Sequence, residues 1–260
     1  MNFRSTTLTG MALLATAGSL LAQDAATTAA AATPAPVIPP TPSAKSPWEN
    51  SIGIGFSIAE GNTDNMLGTA NFTSVYKGKS DEFGFGLDGK YGEQDDKKNT
   101  DTQSAYLQYN HLFTERFYLF GRGDFYRDSI AEIDYRFTVS AGPGYYLVKN
   151  ANTRLNVEAG PGVVFQQVAD ESDTYATIRF GQQFEHKFNE GKTRIWEKCE
   201  YLPQVDRWGN YIINLEVGIE TTVYKGLSLR TYVQDYYDSE PAPDRKSNDF
   251  FWITGIAYKF

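Results

Sequence analysis

The chain runs to 260 residues, with 41% hydrophobic and 15% aromatic content, 23 glycines, one cysteine and a formal net charge of −8. A mean hydropathy of −0.45 excludes a polytopic helical membrane protein, whose every span needs about 20 consecutive apolar residues, and the aromatic and glycine content excludes a disordered chain. The lone Cys199 leaves no intrachain disulfide and no cysteine-rich metal site, and the acidic balance argues against nucleic acid, which needs clustered positive charge.

Residues 1–22 carry Arg4, then an apolar stretch from Leu8 to Leu21, and end on Ala22, the pattern of a secretory signal peptide. The stretch is short for a membrane anchor, and no cysteine follows it for a lipid. Residues 23–47 collapse to Ala, Thr and Pro, including Pro39, Pro40 and Pro42, a composition that cannot bury a core and favours extended backbone. They read as a flexible tether, with the folded domain spanning 48–260.

From Trp48 onward no helical period is present. Twelve runs of about 10 to 13 residues alternate at period two between Gly, Asn, Asp or Lys clusters. The run near 66–76 does not sort its residues cleanly, and those near 82, 101 and 116 do so with noise. Near 134–147, Tyr135, Phe137, Val139, Ala141, Tyr145 and Leu147 alternate with Arg136, Thr138, Ser140, Gly142 and Gly144. After a noisier run near 153, Ala176, Ile178, Phe180, Phe184 and Phe188 alternate with Tyr175, Thr177, Arg179, Gln183, Glu185 and Lys187. The run near 192–202 is again unclear. Near 211–223, Tyr211, Ile213, Leu215, Val217, Ile219 and Val223 oppose Asn214, Glu216, Gly218 and Glu220. A run near 227 precedes the last, where Phe250, Trp252, Thr254, Ile256, Tyr258 and Phe260 share one face.

A soluble β-sandwich would alternate too, with its apolar face inside. Three features favour a membrane barrel. The runs match a tilted bilayer crossing and exceed the usual globular strand. The chain closes on an aromatic, which resembles the assembly signal of bacterial outer-membrane barrels. The connections also sort by parity. With the N-terminus in the periplasm, the outer ones are 60–64, 93–100, 128–134, 169–173, 206–210 and 239–247, mostly acidic or longer; 77–81, 114–115, 149–152, 189–191 and 224–226 are tight turns of Lys, Asn and Gly. Long outer loops, short periplasmic turns and an even strand count define transmembrane barrels. The expected fold is therefore all-β, a closed antiparallel transmembrane barrel of about twelve strands. Trp48, Trp252, Tyr258 and Phe260 are expected near its membrane boundaries.

These segments resemble the bacterial family of salt-induced outer-membrane proteins, a YdiY-like domain of unknown function. The matching stretches are Glu-Gly-Asn-Thr-Asp at 60–64, Arg-Phe-Tyr-Leu-Phe-Gly-Arg at 116–122, Asp-Tyr-Arg at 134–136, Ala-Gly-Pro-Gly-Tyr at 141–145, Glu-Ala-Gly-Pro-Gly at 158–162 and the close from Gly255 to Phe260. The resemblance implies an outer-membrane barrel and carries over no activity, substrate or catalytic residue. The tether, Cys199 and the Trp208-Gly209 loop depart from it.

A lipid-active barrel enzyme needs a nucleophile beside an oriented base. The two histidines, His111 and His186, are followed two residues on by Phe113 and Phe188, not by the Ser of outer-membrane lipid deacylases, and both read as interfacial. No catalytic residue, metal site or cofactor is expected: two histidines fall short of a zinc ligand set, and the 60–64 run falls short of a calcium loop and reads as a solvated turn. Alternation places Asp88, Lys90, Arg122, Asp124, Arg136, Arg154, Glu158, Arg179, Glu185, Glu216, Glu220 and Arg230 on the inner face. There they either pair into a gasket, since charges in a narrow space must be paired or hydrated, or line a hydrated pore. The Gly-Pro-Gly segments set Gly142, Gly144, Gly160 and Gly162 inward as a bend or as a smooth wall along a solute path. The functional expectation is a non-enzymatic outer-membrane barrel, either a narrow channel or a structural envelope protein with a salt or stress role. A lipid-active enzyme and a soluble periplasmic β-protein are the alternatives. Its partners are expected to be outer-membrane lipid, the barrel-assembly machinery through Phe260, and a small solute of unknown identity, with no nucleic acid.

Overall fold

The period-two alternation becomes twelve antiparallel strands in the computed structural model, which describes residues 46–59 and 65–260. They are β1 (Trp48–Ala59), β2 (Asn65–Lys77), β3 (Asp81–Gln94), β4 (Lys97–Leu112), β5 (Phe117–Asp128), β6 (Ile133–Lys149), β7 (Thr153–Val168), β8 (Glu171–Phe188), β9 (Thr193–Pro203), β10 (Tyr211–Tyr224), β11 (Leu227–Asp238) and β12 (Asn248–Lys259). The expected signal segment, nearly all of the tether and the 60–64 turn lie outside the described residues. Each strand pairs with its sequence neighbours and β12 pairs with β1, closing the barrel. Both ends of the barrel domain therefore lie at one rim, called here the terminal end.

Closure divides the side chains into two populations. Ile52, Ile54 and Phe56 point outward and are exposed, while Ser51, Gly53 and Gly55 between them are buried. The same holds on β6, where Phe137 and Val139 are exposed and Arg136, Thr138 and Ser140 buried. An outer surface this rich in large apolar side chains, around an inner one rich in charge, inverts the order of a water-soluble sandwich. It requires an apolar medium outside. Apolar clusters inside are small: Leu112, Tyr118, Phe120 and Tyr146 form one, and Trp196, Tyr232 and Ile253 another.

The connections are less sorted by length than the sequence predicts. The expected 93–100 and 169–173 loops are two-residue hairpins: Asp95 and Asp96 have φ of 50° and 59°, and Ala169 and Asp170 of 48° and 67°, as a type I′ turn requires. The strands themselves run on instead, to 16 residues in β4 and 18 in β8. Residues that read as acidic loop extend the wall. Among the described residues only 204–210 and 239–247 form long connections at the far end.

The β1–β12 seam is short, with five register pairs from Ser51↔Lys259 to Gly55↔Gly255, prolonged by reciprocal backbone hydrogen bonds between Asn50 and Phe260 at 3.1 and 3.2 Å. A Cβ on Gly255 would lie 2.1 Å from the Ile54 carbonyl oxygen and 2.7 Å from the Gly55 Cα. Neither is a flexible side-chain end, so the strands must part. Gly255→Leu is expected to destabilise the barrel by at least about 1–3 kcal/mol, read as a lower urea midpoint and a larger unfolded band on unheated gels. A wild-type midpoint would show that the seam tolerates separation.

Candidate functional site

The barrel interior is where sequence alternation concentrates chemistry, and its side chains meet at three levels. At the terminal end Glu82 of β3 accepts hydrogen bonds from Arg154 of β7 at 2.8 Å, Lys149 of β6 at 3.3 Å and the Tyr146 hydroxyl. On the other side of the ring, buried Glu220 of β10 is met by Arg230 of β11 at 2.6 Å, Arg194 of β9 at 3.6 Å and Lys259. Arg194 also pairs with Glu185 at 3.1 Å, and Arg230 reaches Asn71 of β2 at 3.1 Å.

At mid-height Arg179 of β8 and Glu158 of β7 lie 2.7 Å apart with side chains only 1% exposed each. Glu158 also accepts from Gln108 of β4 at 2.8 Å and from the Tyr118 hydroxyl of β5 at 2.9 Å. Arg179 donates on to Glu200 of β9. Arg122 of β5 clamps Asp124 at 2.6 Å, donates to Gln108 at 2.8 Å and lies 3.5 Å from Glu200. Every charge has an opposite partner, as burial demands, and the network crosses the lumen from β4 and β5 to β9.

The other half of the mid-level is wetter. Glu216 of β10 accepts from Lys198 at 2.9 Å, Trp196 at 2.7 Å and Gln234 at 2.8 Å, and Asp88 pairs with Lys90 at 2.6 Å. Lys198 points inward, yet its side chain is 48% exposed. Solvent-sized space therefore lies beside it inside the barrel.

At the far end opposite walls touch. Tyr126 of β5 stacks on Tyr236 of β11, six strands away around a ring of twelve, with centroids 4.4 Å apart and planes inclined by 12°. Arg136 of β6 spans the same gap, donating to Asp238 at 2.7 Å and to the Tyr236 hydroxyl while holding Gln166 at 2.7 Å.

A family model described as "Protein of unknown function, DUF481" matches residues 52–260. The chain belongs to the DUF481 family. No curated protein matches it in sequence. Among solved structures, the NanC porin superposes with a TM-score of 0.51 at 6% identity, covering 82% of this chain and 100% of its own. The KdgM porin gives 0.45 at 11% identity over 82% and 99%. The translocator domain of the autotransporter NalP from Neisseria meningitidis gives 0.44 at 14% identity over 82% and 87%. The NanC likeness is one of fold, and it makes the DUF481 chain an outer-membrane-type barrel of porin-like architecture.

The Gly-Pro-Gly segments of this DUF481 barrel face each other on β6 and β7. Pairing between these two strands is interrupted between Ser140↔Gly162 and Gly144↔Glu158, where Pro143 and Pro161 have no N–H to give. A Cβ on Gly142 would lie 2.3 Å from the Ala159 carbonyl oxygen, one on Gly160 2.1 Å from that of Ala141, and one on Gly162 2.8 Å from that of Val139. The glycines allow backbones to approach at a gap in the ladder. Gly144 makes room for the Tyr118 ring, which a Cβ would meet at 2.3 Å.

Each histidine has one arm of a catalytic triad. His111 Nδ1 lies 3.0 Å from Asp81 and packs edge-on to Phe113, so among the described residues it has an orienting carboxylate and no hydroxyl partner. His186 Nδ1 lies 2.8 Å from the Thr153 hydroxyl, so among the described residues it has a hydroxyl and no carboxylate partner. No group of three metal-binding side chains exists among the described residues. Sequence reasoning missed Glu82, Gln108, Tyr118, Lys198, Glu200 and the Tyr126–Tyr236 stack. Parity within a clean β9 register would have found Lys198 and Glu200; nothing local signals the others' partners.

Proposed function

We propose that the chain is a narrow, non-enzymatic channel of the bacterial outer membrane, with the terminal end in the periplasm, passing small hydrated solutes along the β9–β11 side of its lumen. The observation that carries this reading is Lys198, an inward cation with nearly half its side chain open to solvent while the facing half of the barrel is closed by the Arg179 network. Fixed charges of both signs, Lys198 beside Glu216 and Lys90 beside Asp88, are what a pore uses to discriminate among ions.

A second reading, a structural envelope barrel, draws on the walls meeting at Tyr126 and Tyr236. A response to salt rests on the sequence resemblance alone and is testable by expression under osmotic load. Removal of residues 1–22 on export belongs to the same proposal.

Recording from refolded, heat-modifiable protein in planar bilayers is expected to show steady unitary steps. Lys198→Glu, by setting a second carboxylate beside Glu216, should shift permeability severalfold toward cations. Absence of unitary steps from folded protein overturns the channel reading in favour of the structural one.

A further inference from the structure

The outward face is apolar on the β5–β7 side of the ring, while on β11 and β12 Thr231 and Thr254 point outward as a hydrogen-bonded pair at 3.0 Å. From β5 to β7 its outward positions include Leu119, Val139, Ala141, Val157 and Val163, all apolar. On β8 and β9 this changes: Gln182, Glu197 and Cys199 point outward, with Gln182 opposite Cys199 and Phe184 opposite Glu197 in register.

Glu197 is deep in the wall. It stands four residues after Thr193, where β9 begins, and four before Tyr201, which belongs to an aromatic row with Phe180 at 6.2 Å and Tyr211 at 5.6 Å. At about 3.3 Å per residue on a tilted strand, the carboxylate lies roughly 10 Å inside that row, near the middle of an apolar band about 25 Å tall. Neither Gln182 nor Glu197 makes a hydrogen bond or ion pair among the described residues. A carboxylate and an amide facing hydrocarbon are costly, and such groups in a membrane mark a place where something polar meets them. An apolar groove lined by Phe184, Ile195, Val217, Ile219 and Trp252 runs beside Glu197.

We propose that this β8–β9 face seats a second copy of the same barrel about a two-fold axis parallel to the barrel axis. The complementarity is internal to the face. Among the described residues no Lys or Arg occupies an outward mid-strand position, so no other side of the barrel offers Glu197 a cation at this depth. Gln182 offers an amide donor on the adjacent strand, one outward register pair nearer the far end. A two-fold between β8 and β9 brings Gln182 of one copy to Glu197 of the other, and the reverse, so both orphan groups are satisfied in one isologous contact. Interbarrel hydrogen bonding of this kind is how polar groups join membrane segments. Cys199 then lies close to the axis in both copies.

The single cysteine is the probe. Full-length protein in outer-membrane lipid vesicles, at low protein-to-lipid ratio, is treated with a short bismaleimide. A homodimer adduct through Cys199 is expected. Gln182→Leu with Glu197→Leu should lower its yield by at least about tenfold while unheated gels show the barrel still folded. Glu197→Gln, which keeps hydrogen-bonding capacity, should retain most of it. An exclusively monomeric product, an adduct of another mass, or a dimer yield unchanged in the double variant overturns the proposal. None of these outcomes depends on whether the lumen conducts.

Discussion

Arg179→Met should cost the barrel about 3–5 kcal/mol of folding stability, the largest loss expected from any single side-chain exchange in the lumen. Arg179 holds Glu158 at 2.7 Å, with both side chains 1% exposed, and also donates to Glu200, so its removal strands the Glu158 carboxylate where little water reaches and leaves Glu200 with Arg122 alone, 3.5 Å away. Glu158 would keep only the neutral donors Gln108 and Tyr118. The loss should appear as a lower urea midpoint for protein refolded in detergent. Adding Glu158→Gln should restore part of it, because the second change removes the charge the first left unpaired. The exposed loop pair of Arg207 and Glu240, 2.8 Å apart, sets the contrast: breaking it should cost no more than about 1 kcal/mol. An Arg179→Met midpoint as close to wild type as that of the loop variant would show that water fills the centre of the network.

The architecture was legible because two media impose two chemistries on one strand. Where lipid lies outside and charge inside, period two is strict, and the β6, β8 and β10 runs announce their faces residue by residue. The pattern failed where that contrast ends. Beyond the apolar band both faces meet water, so Lys97 to Thr100 and Glu171 to Asp173 lose alternation and read as loops, although they continue β4 and β8. It failed again at β9, where Glu197 stands outward beside inward Lys198 and blurs the register; the residue that hid the strand is the one that marks the proposed contact. On β2 the small outward Gly68 and Ala70, set against inward Leu67 and Val75, weaken the contrast in the same way.

Which inward charges meet was not legible at all. Arg136 and Asp238 are 102 positions apart in the chain, and period two fixes only that each points inward. Barrel closure decides that β6 faces β11. From sequence a gasket and a pore are alternatives for the whole lumen; in the structure a paired network spans the β4–β9 side, while the inward Lys198 side chain is 48% exposed. Conduction then depends less on how much of the lumen is filled than on whether any level is sealed across its full width.

The far end is the level where that question is sharpest, and Tyr126→Ala with Tyr236→Ala should raise unitary conductance severalfold. These rings come from strands on opposite sides of the barrel and stack 4.4 Å apart, so at this height side chains of the two walls are in contact across the bore. Current through a pore is governed by its narrowest section, and removing both rings widens the bore at this height. The stability lost is modest, since the stacking itself contributes about 0.5–1.5 kcal/mol beyond burial and the 2.7 Å bond from Arg136 to Asp238 still ties the walls. Trp252→Ala, which removes an exposed outward ring, is the matched control and should leave conductance unchanged. If the double tyrosine variant folds, conducts as wild type does and keeps its ion selectivity, the limiting section is the Arg179 level instead. Arg122→Ala would then be the variant that widens the path, since Arg122 holds Asp124 and Gln108 across the edge of that network.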